Sequence, residues 1–216
     1  MTEIRYTLLT DGPSDRALSS VLTWLLRTHN IFHPIQSEWA DLRRLVHPPR
    51  TLVERIRVSL DLYPCDLLFI HRDAERESPQ NRRREIQTAL DEITEPGFVP
   101  PVVCVVPVRM QEAWFLFNEE AIRRAAGNPN GTIPLNIPPL RNVEHLPDPK
   151  TTLHDVLKQA SGLSGRRQKN FHVSQSALRL TDFIEDYSTL RILPAFQVLE
   201  EDVANLVREH GWAQIS

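Results

Sequence analysis

Two cysteines and seven glycines among 216 residues leave several classes of protein without their material. Cys65 and Cys104 lie in apolar runs with neither CxxC nor Cys/His spacing, so they read as reduced core thiols rather than zinc ligands or a disulfide framework. No apolar run approaches the roughly twenty residues of a membrane span, and Met1-Thr2-Glu3-Ile4-Arg5 lacks the long apolar region of a signal peptide. The expectation is a cytoplasmic protein with no membrane partner. Positive charge is also scarce: 25 Lys and Arg against 28 Asp and Glu give a net charge of −3. Bulk basicity will not hold a polynucleotide, so any such contact must come from basic residues gathered locally.

What is present is ordinary globular material, 41% hydrophobic and 25% charged, with 17 prolines as the one oddity. Ile4 to Leu9 reads as a strand. A helix with Leu18, Val21, Leu22 and Leu25 on one stripe follows it, opened either by Ser14 as cap or by Pro13 in the first turn. A short strand is expected around Gln36 to Ala40, and a second helix carries Val53, Ile56 and Leu60. Cys65 to His71 and Val102 to Val108 read as buried strands, separated by a helix that Ser78-Pro79 opens. Another helix is expected from Gln111 to Ala126. The alternation of strands and helices predicts an α/β fold with a parallel or mostly parallel sheet covered on both faces. Residues 1–126 form this core. Residues 127–150, with six of the prolines, form a connection. Residues 151–216 read as a helical part packed on the core.

Two acidic signatures lie past strand ends, about sixty residues apart: Asp11-Gly12-Pro13-Ser14-Asp15 and Asp73-Ala74-Glu75. Residues beyond the carboxyl ends of neighbouring strands converge on one crevice in an open α/β sheet. Asp11 and Asp15, four apart, share one side if the turn is helical; Asp73 and Glu75 share one side if the chain is extended. Glu112 and Arg109 sit at a third strand exit, the acid placed to complete a metal shell and the guanidinium to hold a phosphate oxygen bidentately. Taken singly, each has an ordinary use, in a turn, a helix start or a solvated loop. Taken together, a cluster of carboxylates is what a hard divalent ion, Mg²⁺ or Mn²⁺, needs; the five are enough for two ions, and one would use fewer. Arg166 and Lys169, in a glycine-containing segment, are candidates to clamp a phosphate. His71, beside the acids, reads as a supporting residue rather than a ligand.

The sequence also resembles a known family. A first strand ending in an acid, Gly12-x-Ser14-Asp15 opening a helix, and a later strand ending in Asp73-x-Glu75 are similar to the TOPRIM domain. This is the metal-binding core of topoisomerases, bacterial primases and overcoming-lysogenization-defect nucleases. Arg109-x-x-Glu112-Ala113-Trp114, Lys150-Thr151-Thr152-Leu153 and Leu190-Arg191-x-x-Pro194-Ala195-Phe196 further resemble a small standalone TOPRIM-like family, often encoded in defence or mobile-element settings. Asp11 stands where the family usually has Glu, and Glu75 where it has Asp. The resemblance implies a TOPRIM-like sheet and a Mg²⁺-dependent nuclease or related phosphotransfer enzyme acting on nucleic acid, an effector in antiphage defence. It implies Asp11 as general acid/base or water-mediated metal contact, and Asp73 and Glu75 as metal ligands. Asp15 would be an outer ligand or would order the first turn, and Lys169 matches a basic position. The alternative is a non-catalytic metal- or nucleotide-binding subunit beside an ATPase partner; a homodimer fits either. The sequence leaves open one ion or two.

Two other phosphate-handling classes fit less well. A haloacid-dehalogenase-like phosphatase needs Asp-x-Asp after its first strand, and a dinucleotide fold needs more glycine than Gly12 alone.

Overall fold

Successive side chains of a strand point to opposite faces, and this alternation divides the core into two layers. The computed structural model describes residues 3–31 and 33–213; residues 1, 2 and 32 of the expected core and 214–216 of the expected helical part lie outside these. Four strands, β1 (Ile4–Leu9), β2 (Ile35–Ala40), β3 (Leu67–His71) and β4 (Val102–Val105), form one all-parallel sheet in the order β2-β1-β3-β4. Ile4, Tyr6, Leu8, Leu67, Phe69, Val103 and Val105 face one apolar cluster, whereas Leu9, Leu68, Ile70, Val102 and Cys104 face the other. The α/β architecture expected from the sequence is therefore present.

Helix α1 (Leu18–Thr28) packs on the first face, and α2 (Leu52–Leu62) and α3 (Pro79–Asp91) on the second. This follows from strand order. The chain steps from β1 to β2 in one direction and then crosses back to β3 and β4, so crossovers of one hand put the helices on opposite sides. The reversal makes the carboxyl ends of β1 and β3 a topological switch point, where α/β folds characteristically place their sites.

Helices α4 (Glu119–Ala125), α5 (Pro149–Ala160), α6 (Gly165–Lys169), α7 (Val173–Arg179) and α8 (Pro194–Glu209) follow. Most belong with the α1 face. Phe196, Leu199, Val203, Leu206 and Val207 of α8 lie in the same cluster as β1 and α1, each contributing roughly 1.5–3 kcal/mol by burial. Trp114 meets Phe196 edge-on at 5.4 Å, so the far end of the chain locks the turn beside Glu112. Among the described residues no helix is long and apolar enough to cross a membrane.

Several boundaries differ from expectation; β3 begins at Leu67 rather than Cys65. The helix expected over 111–126 is a 3₁₀ turn, Gln111–Phe115, followed by a new start at α4. Asn118 causes the break: its side chain accepts the Ala121 N–H at 2.9 Å and caps α4. Strand β4 stops at Val105, yet the chain beyond it stays bonded to the segment after β3. Ala74 N–H donates to Pro107 O at 3.1 Å and Glu75 N–H to Arg109 O at 2.8 Å.

Candidate metal and phosphate site

The residues at the switch point are set by backbone before they are set by charge. Asp15 lies in the 3₁₀ turn Pro13–Ala17, ahead of α1, and is 6% exposed. Its carboxylate accepts the Gly12 N–H at 2.8 Å, the Ser14 hydroxyl at 3.0 Å and the Gln111 Nε2 amide at 2.8 Å. Asp73 follows β3 by two residues, and its Oδ1 accepts the Gln111 backbone N–H at 2.9 Å. Gln111 therefore ties the β1 exit to the β3 exit, one acid through its side chain and one through its main chain. Glu112, the next residue, is likewise 6% exposed and lies 3.7 Å from Lys150 Nζ. Lys150 is positioned by the start of α5, where Asp148 accepts the Thr151 N–H and Pro149 occupies the first turn.

His71 sits behind these acids, 2% exposed. Its Nδ1 is 3.0 Å from the Val105 carbonyl, which can only accept, so Nδ1 carries the hydrogen. Nε2 is then turned toward carboxylates, 3.5 Å from Asp73 and 3.8 Å from Asp15.

Electrostatically the three acids act on one another. Burial pushes the Asp73 carboxyl up to about 6; His71 opposes the rise, while the charges of Asp15 and Glu112 add to it. Burial also raises Glu112 above the usual carboxylate range, opposed by its own backbone N–H and by Lys150, and reinforced by Asp15. Two neighbouring acids whose carboxyls are both raised by burial mark a place short of positive charge.

The other expected acids are spent elsewhere. Asp11, 44% exposed, is held between Arg55 and Arg72, with Arg72 Nε 2.8 Å from Oδ2, and Arg55 also reaches the Thr10 carbonyl. Glu75, 63% exposed, faces Arg82 at 3.6 Å. The expectation that Glu75 and Asp73 point the same way required extended chain, but Glu75 takes a left-handed φ of 53°. Arg109, also left-handed, donates to the Glu75 carbonyl at 3.2 Å and lines a separate cleft with Arg82 and Met110. Arg166 and Lys169 stand exposed on α6, a short helix rather than a loop, and among the described residues neither has an ion-pair partner.

The structure thus groups Asp15, Asp73 and Glu112, and leaves Asp11 and Glu75 with arginines. Gln111 and Lys150 escaped assignment from sequence. The signal for Gln111 was its place beside Glu112 at a strand exit; for Lys150 it was the first turn of a well-capped helix. Among the described residues no three His, Cys, Asp or Glu groups are already set around one point as metal ligands. The donor set is nonetheless all carboxylate oxygen, which suits a hard divalent ion.

No protein-family model, no curated protein and no solved structure matches this chain.

Proposed function

We propose that the protein is a Mg²⁺- or Mn²⁺-dependent enzyme that hydrolyses phosphodiesters of nucleic acid, with Asp15, Asp73 and Glu112 holding the ion. One observation carries this reading. Asp15 and Asp73 both bond to Gln111 at the switch point of a parallel sheet with Glu112 the next residue along, and the charges of Asp15 and Glu112 add to the burial that pushes Asp73 toward protonation. A divalent ion bound there would polarise a phosphoryl oxygen and acidify a water molecule.

The chain's own residues supply the rest. Gln111 orients both Asp15 and Asp73, and His71 Nε2 faces both carboxylates from within the core. Lys150, half exposed beside Glu112, is the cation available to a phosphate oxygen. The TOPRIM likeness and a role in antiphage defence belong to this proposal through the sequence resemblance alone.

The test is incubation of purified protein with plasmid DNA and with RNA, in Mg²⁺ or Mn²⁺, beside an Asp73→Ala control. Cleavage by the wild type and none by the variant is expected. Equal cleavage by both would sink the assignment.

A second reading has its own observation. Asp11, the acid that the resemblance makes catalytic, is bound by two arginines. In that reading the protein is a metal- or nucleotide-binding subunit of an ATPase-containing complex. Copurification of an ATPase, with no cleavage and no stabilisation by Mg²⁺ or Mn²⁺, would favour it.

A further inference from the structure

Between Asp41 and Glu54 the chain carries Arg43, Arg44, His47 and Arg50 and no acid, in a protein whose net charge is −3. Such local gathering is what contact with a polyanion demands of a chain without bulk basicity. The segment joins β2 to α2 and leaves the carboxyl end of β2 beside the β1 exit. Its backbone is fixed at several points. Leu42 and Leu45 pack into the cluster on the α2 face, Pro48 and Pro49 restrict the turn, and Thr51 caps α2.

A cleft of about 200 Å³ opens between this segment and the β1 exit, with Arg43, Arg50, Arg55, Trp39, Asp11 and Gly12 in its lining. It is smaller than the roughly 300–1,000 Å³ of sites for drug-sized molecules, so it suits one group of a longer chain. Asp11, the one acid of that lining, is already answered by Arg55 and Arg72.

The other two arginines have surface to offer. Arg43 is 48% exposed, with its guanidinium 5.6 Å over the Trp39 ring and its Nε on Asp41 at 2.9 Å. Trp39 is itself held, donating its indole N–H to Thr10 Oγ1 at 2.9 Å. Ring and carboxylate orient the Arg43 fork, while among the described residues its terminal N–H groups have no hydrogen-bond partner. Arg50 is exposed, and among the described residues its guanidinium has no ion-pair partner. Only its main-chain N–H is engaged, by Glu54 at 2.8 Å.

We propose that this cleft holds the phosphodiester backbone of a nucleic-acid strand, with Arg43 and Arg50 on its phosphates. Guanidinium forks match phosphate oxygens, and cations lining a cleft raise the local concentration of a polyanion. Gly12 joins the two places: it lines the cleft, and its N–H binds Asp15 of the acid site at 2.8 Å. A strand held in the cleft therefore lies alongside the acids that would take the ion. The inference deepens the phosphodiester reading and rests on it for the choice of nucleic acid among polyanions; binding in the cleft needs no ion.

The experiment is fluorescence anisotropy of labelled single-stranded DNA and RNA oligonucleotides with the full chain in EDTA, over a range of salt. Arg43→Gln combined with Arg50→Gln weakens binding. It also lowers the slope of log affinity against log salt by about 1.4, since each phosphate contact on a single strand contributes roughly 0.7. The loss is the same for oligonucleotides of unlike sequence, because phosphate contacts carry no base information. Arg27→Gln combined with Arg208→Gln removes the same charge from the last turns of α1 and α8 and leaves the slope as it was. Arg50→Glu, at an exposed side chain, also weakens binding and serves if the first double variant does not fold.

Four results overturn the proposal: no binding by the wild type, equal weakening by both double variants, an unchanged salt slope in the cleft variants, or equally tight binding of polyglutamate, which would assign the patch to an acidic protein. Cleavage separates the proposal from the metal reading. Binding that the cleft variants weaken, with no cleavage in Mg²⁺, keeps the strand in the cleft and removes hydrolysis. Cleavage by the wild type, with KM unchanged in Arg43→Gln combined with Arg50→Gln, keeps hydrolysis and removes the cleft.

Discussion

Two sets of carboxylates leave the same strand ends and meet different fates. Asp11 and Glu75 are largely exposed and paired with Arg55, Arg72 and Arg82. Asp15, Asp73 and Glu112 are more deeply placed, and among the described residues the basic side chains recorded beside them are the His71 imidazole and Lys150, at 3.5 to 3.8 Å. A solvated acid beside a guanidinium is neutralised and has little left to offer a ligand. A buried acid without one must take a proton, or a cation, to offset its desolvation. The difference teaches that acids here should be weighed by the company they keep, more than by their place in a motif.

The comparison breaks most sharply at Asp73. Asp73→Ala should abolish stabilisation by Mg²⁺ or Mn²⁺ in thermal melts and reduce cleavage to background, whereas Asp11→Asn should retain both. If Asp11→Asn alone removed them, the two sets would have to be exchanged. Gln111→Ala comes next. It strips the side-chain donor from Asp15 while keeping the main-chain bond to Asp73, and metal affinity should fall roughly 10- to 100-fold, as read by calorimetry.

The pH dependence sharpens the contrast further. Asp73 titrates at about 6 in the fold, against 3.8 as its ordinary value. Between these values the folded state holds a proton that the unfolded chain has released, so metal-free stability should fall as pH rises from about 4 to 6. Metal affinity should climb through the same window, because the ion needs the deprotonated acid. Denaturant melts of the wild type and Asp73→Asn across this range check both statements, and the variant should show the flatter profile. The smallest effect belongs to the exposed set: Asp11→Asn and Glu75→Gln should each cost no more than about 1 kcal/mol in urea.

Much of this molecule was legible before any coordinates. The apolar run Ile4–Leu9 and the nearly continuous one from Cys65 to His71 announced strands, and Ser78 marked a helix start that the structure uses as a cap; Thr51 and Asp148 cap two more. The run from Gln111 to Ala126 misled because apolar spacing was read past Asn118, whose side chain competes for a backbone N–H and restarts the helix. The two-residue spacing of Asp73 and Glu75 misled because alternation holds only for extended chain, and Glu75 is left-handed.

Periodicity was enough for the parallel sheet and for bringing acids to the carboxyl ends of β1 and β3, since burying apolar faces is a local pattern repeated along the chain. It was not enough to say which acids would share a site. That depended on Arg55 arriving from α2 to take Asp11, on Gln111 reaching 96 residues back to Asp15, and on Lys150 descending from α5 beside Glu112. Charge pairing and desolvation depend on distance in space, and spacing along the chain does not report that distance.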